Sequence, residues 1–364
     1  MRTSTRIVLT ILLLIACAAV LLAAGSLTVY QSKQTPPIKL GTSGGNVSDH
    51  TTMYCCSGTL GALVAKNGQQ YILSNNHVLA RSDQAATGED ISQPGMVDTN
   101  CSTANSNIVA DFTQAAKLGT NVDAAIAQVR AGMVATNGEI LTVGVPANTM
   151  ATPAVNMGVA KAGRTTGFTC SSIAATNTSV TVQYETQCGG GSTFNVSYTG
   201  QVLINSRSFS AGGDSGSLIV NSATAQPVAL LFAGSNTTTI ANPIGEVAKD
   251  LGVTFVGGGT HTVPCTTKKP RGKVAAASYS RAIEAKEKHA QRLMLDDAVM
   301  AVGVSSDDVN ETQAVVLVVV EHGRQLREAI PAQLDGVKTK VLISDKIRAF
   351  GWNEATGQAC RVRQ

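Results

Sequence analysis

One short segment gathers the residue types of acyl-transfer chemistry: Phe209-Ser-Ala-Gly-Gly-Asp-Ser-Gly-Ser217. Ser215 follows an acid and has Gly213 and Gly216 close on either side. A nucleophilic serine needs a tight turn that turns its hydroxyl outward, and backbone N–H groups aimed at the oxyanion that forms on attack. Gly213 lets the main chain approach a substrate closely, and the N–H groups of Gly213 and Ser215 are the natural donors. A surface turn of Gly, Ser and Asp has a similar composition, so the reading depends on finding a base.

The chain has five histidines. His50 and His261 lie in Ser/Thr/Gly-rich stretches, His289 in a charged helical pattern, and His322 just after a strand of the tail. Only His77 ends an apolar run within the region that holds Ser215, in Tyr71-Ile-Leu-Ser-Asn-Asn-His-Val-Leu79. A histidine base needs a carboxylate to fix its tautomer. Asp123 opens the apolar strand Ala124-Ala-Ile-Ala127, where burial at a strand edge suits that role; Asp111, in Val109-Ala-Asp-Phe112, is the alternative.

The elements that must position these groups are strands. From about 57 to 257 the chain reads as short runs rich in Val, Ile, Thr and Ala, cut by Gly, Asn, Ser and Thr. They include Gly58–Ala65, Gln70–Ser74, Ala124–Val129, Gly138–Val143, Ser179–Tyr184, Gly200–Ile204, Ser217–Val220 and Pro227–Phe232. This pattern predicts a mainly β sandwich or barrel. Pro243–Leu251 is predicted helical, with Asn242 as its N-cap. The tail differs. Charged residues rise from about 9% of residues 1–265 to about 28% of 266–364, which marks a boundary. Ser278–Met300 has helical spacing, followed by strands at Ala301–Val304, Ala314–Val320 and Lys340–Ile343 and a short helix at Gln325–Ile330. That is a small α+β domain, with Trp352 expected to pack on Val315–Val320. The domains expected are a leader at 1–25, a linker at 26–54, a β domain at 55–257, a linker at 258–277 and the α+β domain at 278–364.

Arg2 and Arg6 precede the uncharged run Ile7–Gly25. It reads as a cleaved signal, an N-terminal membrane anchor through residues 7–25, or a lipoprotein leader at Cys17; each places the mature chain outside the cytoplasm. No other long apolar run exists, so a multi-span membrane protein is excluded. Net charge is +4 without a dense Lys/Arg block, which argues against nucleic acid as a partner. Seven cysteines follow Cys17, and outside the cytoplasm disulfides are expected. Cys170 with Cys188, and Cys55 or Cys56 with Cys101, are the plausible pairs. The Cys and His spacings show no metal site, and no cofactor is implied.

Taken in order, His77, Asp123 and Ser215 resemble the triad of the chymotrypsin/trypsin-like (S1-type) serine endopeptidases, in a secreted bacterial form. Leu73-Ser-Asn-Asn-His77 resembles the family's Thr-Ala-Ala-His, Asp123-Ala-Ala-Ile-Ala its Asp-Ile-Ala-Leu, and Ala211-Gly-Gly-Asp-Ser-Gly216 its Gly-Asp-Ser-Gly-Gly. Leu231-Phe-Ala-Gly-Ser235 resembles the strand that pairs with substrate backbone and walls the specificity pocket. The resemblance covers about residues 55–257. It implies two six-stranded β-barrels with the site between them, a polypeptide substrate, and Phe209, Phe232, Ala233 and Gly234 at the substrate. Phe209 stands six before Ser215, where trypsin-like members carry a carboxylate, so a basic-residue preference is not expected and a shallow or apolar pocket is. There is no basic-Ile-Val-Gly-Gly activation site, which leaves Asp214 without the amine partner the family gives it. The competing reading is a latent or inactive protease fold that acts as a binding protein, with the tail as its interaction module.

Overall fold

The computed structural model describes residues 28–265 and 272–349, and the backbone alone at 353–354, 357–358 and 360–362. The leader at 1–25 and Trp352 lie outside the described residues.

The first sheet contains β1 (Thr42–Asn46), β3 (Gly58–Leu60), β4 (Ala62–Lys66), β5 (Gln69–Ser74), β6 (Asp90–Gln93), β7 (Asn107–Ala115) and β8 (Ala125–Val129), while β2 (Tyr54–Cys56) stands apart from it. The strands pair in the order β4-β5-β8-β7-β6-β1-β3. Since β3 and β4 are one chain bent at Gly61, the path returns on itself as a barrel. Its β4–β5 hairpin turns on Asn67-Gly68, both at positive φ, the pairing a two-residue hairpin turn favours. Leu63, Ile72, Leu73, Ile126 and Val109 fill the interior, all fully buried. A single helical turn, α1 (Asn76–Leu79), follows β5.

The second sheet is built from β9 (Gly158–Gly163), β10 (Gly167–Ser172), β11 (Ala175–Gln187), β12 (Gly190–Asn205), β13 (Leu218–Asn221), β14 (Pro227–Gly234) and β15 (Thr238–Pro243), in the order β10-β9-β13-β14-β15-β12-β11. Every residue of β14 is buried, so it reads as a continuous apolar run rather than an alternating one. Helix α2 (Ile244–Leu251) ends at Gly252, whose left-handed backbone returns its N–H to the carbonyls of Ala248 and Lys249. β16 (Thr254–Phe255) then pairs with β4 of the first barrel. The fold is mainly β, two barrel-like sheets, with an added helix and strands at the C-terminus.

That extension holds α3 (Ala276–Leu293), β17 (Val299–Ser306), β18 (Ala314–Glu321), β19 (Gln333–Leu334), β20 (Val337–Ser344) and β21 (Arg348–Ala349). It continues the second sheet instead of standing apart. β17 pairs antiparallel with β11, Ala175 opposite Ser305 and Val180 opposite Ala301, and β18 and β20 follow.

Several expectations are corrected. Residues 28–54 are not a linker: Ile38 and Leu40 are fully buried in the first core and Thr42–Asn46 is a barrel strand. Within the expected linker 258–277, residues 258–265 pack down through buried Val263 and the Cys170–Cys265 disulfide, and α3 has begun by Ala276. Gly138–Val143 forms turns, and Gln325–Ile330 is not helical; Arg327 N–H donates to the Asp296 carboxylate at 2.7 Å rather than to a carbonyl one turn back. Among the described residues the disulfides are Cys55–Cys101, Cys56–Cys188 and Cys170–Cys265. The expected Cys170–Cys188 bridge is absent because the β11–β12 hairpin carries Cys188 at its tip, across to β2, while Cys170 lies within β10.

The Cys55–Cys101 bridge spans 46 residues. By loop-closure entropy its loss costs about 4 kcal/mol. Urea unfolding of the Cys55→Ser/Cys101→Ser double variant is expected to show a lower midpoint with a native-like far-ultraviolet spectrum at zero denaturant.

Candidate active site

His77 sits in the short helix α1, and Asp123 immediately precedes the Ala124–Ala125 entry to β8. Both come from the first barrel and both are buried, Asp123 completely. His77 Nδ1 lies 2.6 Å from Asp123 Oδ2. The carboxylate can only accept, so Nδ1 carries the proton and Nε2 is left as the basic nitrogen. Nε2 is buried with no hydrogen-bond partner among the described residues. Asp123 is held from every side. His77 N–H donates to Oδ1 at 3.3 Å, Asn75 Nδ2 donates to its carbonyl at 2.7 Å, and its own N–H donates to Asn242 Oδ1 at 3.0 Å. Asn242 is thus spent on Asp123 and not on the helix cap expected of it; the cap position is Pro243.

Sequence reasoning missed Tyr184. Its hydroxyl donates to Asp123 Oδ2 at 2.7 Å and lies 2.6 Å from the hydroxyl of Tyr198. With the Tyr184 proton given to the carboxylate, Tyr198 must donate to Tyr184, so two phenols end in one buried charge. Burial, then the nearby Asp123 charge, pushes the Tyr184 phenol well above its usual range, which keeps it a donor. The clue in the sequence was weak: a Tyr at the inward phase of an alternating strand reads as core.

Ser215 is fully buried in a loop of the second barrel. The loop reaches the first barrel through the Thr59 N–H, which donates to Ser215 O at 2.8 Å, and through Thr59 Oγ1, which donates to Gly213 O at 2.9 Å. The barrels press together at Gly61, where an added Cβ would fall 1.9 Å from Gly216 O. At Gly58 an added Cβ would meet both Val78, next to His77, and Ser215 O. The structure therefore brings His77, Asp123 and the Ser215 loop to one junction. Asp111 is elsewhere, in an ion pair with Arg130 at 2.6 Å.

Gly213 has φ +96, a backbone setting that favours glycine. Its N–H has no acceptor among the described residues, whereas Asp214 N–H and Gly216 N–H donate to Ala211 O and Leu231 O. Asp214 fixes the loop. Its carboxylate accepts from the N–H groups of Ala211, Thr165 and Thr166 and from Thr166 Oγ1, and Lys161 Nζ stands 3.5 Å away. Lys161 is completely buried; burial pulls its ammonium down and Asp214 pushes it back up. The counter-charge for Asp214 is thus a side chain already in the fold.

The substrate-facing residues need correction. Phe209 is fully buried in the second barrel's core with Ile219 and Leu231, its ring 5.8 Å from Lys161 Nζ. It cannot floor a pocket in that position; only its carbonyl faces the loop, accepting from Thr169 Oγ1 at 2.7 Å. The Phe232 ring also points inward, against Tyr198 at 4.9 Å. Phe232, Ala233 and Gly234 are all buried, like the rest of β14. His77 also lines a cleft of about 430 Å³, together with Asp49, His50, Arg81 and Glu185.

No protein family profile matches the chain, and no curated protein does. Solved structures do. A glutamic-acid-specific serine protease that uses a histidine triad in substrate binding is 19% identical with TM-score 0.43, covering 60% of this chain and 100% of that one. Cellulomonas bogoriensis chymotrypsin is 19% identical with TM-score 0.38, over 59% of this chain and 98% of that one. An α-lytic protease homologue is 20% identical with TM-score 0.40, over 58% and 97%. The similarity is thus to bacterial chymotrypsin-like serine proteases over about 60% of the chain, leaving a C-terminal extension.

Burial pushes the Asp49 carboxyl up to about 7, against the opposing pull of Arg81 and His77. Its proton is retained in the fold at pH values where the unfolded chain has lost it. The ionisation cost therefore grows from about pH 4 and is fully present above about pH 7. Asp49→Asn removes that cost. Melting temperatures of the variant and wild type are expected to coincide near pH 4 and diverge by pH 8, the variant being more stable by on the order of 1 kcal/mol.

Proposed function

We propose that the chain is a serine endopeptidase working through His77, Asp123 and Ser215. The observation that carries the reading is the buried His77–Asp123 pair, which leaves a basic Nε2 at the junction where the Gly-Asp-Ser-Gly loop meets the first barrel. His77 Nε2 takes the Ser215 proton as Oγ attacks a peptide carbonyl, then returns it to the leaving amine. Asp123 holds the tautomer and offsets the imidazolium charge, with Tyr184 holding Asp123 in place. The N–H groups of Gly213 and Ser215 face the developing oxyanion, and water on the acyl-enzyme completes turnover. The substrate is a polypeptide approaching along the main chain of Phe232, Ala233 and Gly234. Three disulfides among the described residues fit an oxidising, extracytoplasmic setting.

A fluorophosphonate probe is expected to label Ser215 in the folded chain and to fail with Ser215→Ala. Casein hydrolysis should fall by about 10⁴-fold in Asp123→Asn, through the wrong His77 tautomer. Absence of labelling in folded wild type would sink the enzymatic reading.

Tyr184→Phe removes one hydrogen bond to a buried charge, worth roughly 1.5–3 kcal/mol. The expected result is a drop in kcat of about tenfold or more with KM little changed. A purely structural role would lower the melting temperature without that split.

A further inference from the structure

Strand β14 loses β13 as its edge partner beyond Leu230. On that edge β13 pairs as far as Leu230, and Leu231 exchanges hydrogen bonds with the nucleophile loop: Gly216 N–H donates to Leu231 O at 2.9 Å and Leu231 N–H to Ser217 O at 3.1 Å. The other edge of β14 is taken by β15 from Ala229 to Gly234. The edge at Ala233 and Gly234 is the place left for an extended peptide whose carbonyl reaches Ser215. In this structure β21 lies there. Ala349 is opposite Ala233 and Arg348 opposite Gly234, antiparallel. The tail strand therefore runs from Gly234 toward Leu231, in the direction of the nucleophile.

The strand is gripped on its other flank as well. Gln183 of β11 faces Arg348 in parallel register; its N–H donates to Ile347 O at 3.2 Å, and Arg348 Nε donates to its side chain at 3.2 Å. Ile347 and Ala349 are each 1% exposed and share a core with Ala233, Phe232, Tyr184 and Tyr198. Just upstream, Ser344 lies within hydrogen-bond reach of the hydroxyls of Ser235, Thr237 and Thr238, at 2.8, 3.2 and 3.1 Å. Asn236 donates to Asp345 at 3.1 Å.

The anchor for this strand is the extension itself. β17 adds to β11, Lys286 Nζ donates to Ser179 Oγ at 2.8 Å, and Tyr279 meets Thr176 at 2.7 Å. Met300, Ala301, Leu317 and Val319 join the same core as the tail strand. Docking on the hairpin delivers β21 to the β14 edge at a high effective concentration, set by the short Asp345–Ile347 connection.

We propose that the C-terminal extension is a built-in inhibitor: its strand Arg348–Ala349 occupies the peptide-binding edge of β14, and a substrate must displace it. The proposal rests on the peptidase reading above. Two full-chain variants test it. Ile347→Asp buries an unpaired carboxylate in the shared core, and Ala349→Arg forces a long cation into a closed position. Casein hydrolysis is expected to rise at least about tenfold in both, with Ser215 still labelled by fluorophosphonate in wild type and variants. Equal hydrolysis by labelled wild type and labelled variants would overturn the inhibitor. A second arm needs no chemistry. A fluorescein-labelled peptide Ser-Asp-Lys-Ile-Arg-Ala, the sequence of residues 344–349, is titrated onto Ser215→Ala alone and combined with Ile347→Asp. Binding at least about tenfold tighter in the combined variant supports an edge vacated by the tail, and equal binding overturns it. If no form is labelled, the peptidase reading fails by itself and the titration still decides whether the strand fills the edge.

Discussion

The whole site hangs on one buried charge. Asp123 is completely enclosed, and an isolated carboxylate there would be far too costly to keep ionised. The carboxylate is held because donors converge on it from both barrels: the ring and amide of His77 in α1, and the Tyr184 hydroxyl from the long hairpin of the second barrel, while Asn75 ties down the Asp123 carbonyl. Its own amide is fixed in turn by Asn242 at the end of β15. Each donor is positioned by a different element, so orienting the carboxylate and docking the two barrels are one condition. A barrel that shifted would leave the charge underbonded, which penalises every arrangement except the one that sets His77 Nε2 at the junction.

A second buried charge does for the Ser215 loop what Asp123 does for His77. Asp214 accepts four hydrogen bonds and faces Lys161, itself fully buried. The sequence shows no activation site whose new amine could serve Asp214. The lysine removes the need for one, because its charge arrives with β9. The loop conformation, including positive φ at Gly213 and Gly216, is held by contacts already present in the fold.

The parts of the fold and site legible in the sequence were those written locally. Alternating and apolar runs marked most strands, and the spacing around His77, Asp123 and Ser215 picked out groups that the structure brings to one junction. What failed was written across distance. Ile38 and Leu40 sit in a polar stretch and look like a linker until a barrel is there to receive them. Tyr184 has the periodicity of a core residue, and only the approach of Asp123 makes its hydroxyl matter. Phe209 was placed by counting back from Ser215, but its ring faces the core because a large apolar side chain gains more there than at a surface. The Cys170–Cys188 pairing took nearness in sequence for nearness in space, whereas the hairpin between them carries Cys188 away to Cys56.

The same hairpin links the Asp123 network to the tail strand. β11 presents Tyr184 to Asp123 near one end and accepts β17 along the other, at Ala175 to Val180. Between them, Gln183 grips the tail strand. A strand held by a side chain next to the one that holds Asp123 senses the same backbone. Occupation of the β14 edge and support of the carboxylate therefore stiffen one element together. Release of the extension would open the edge and at the same time bare the outer edge of β11, which is then fixed by β12, the Cys56–Cys188 bridge and the Tyr184–Asp123 contact. None of those three ties involves the extension, so the His77–Asp123 pair would keep its orienting network if the tail strand left.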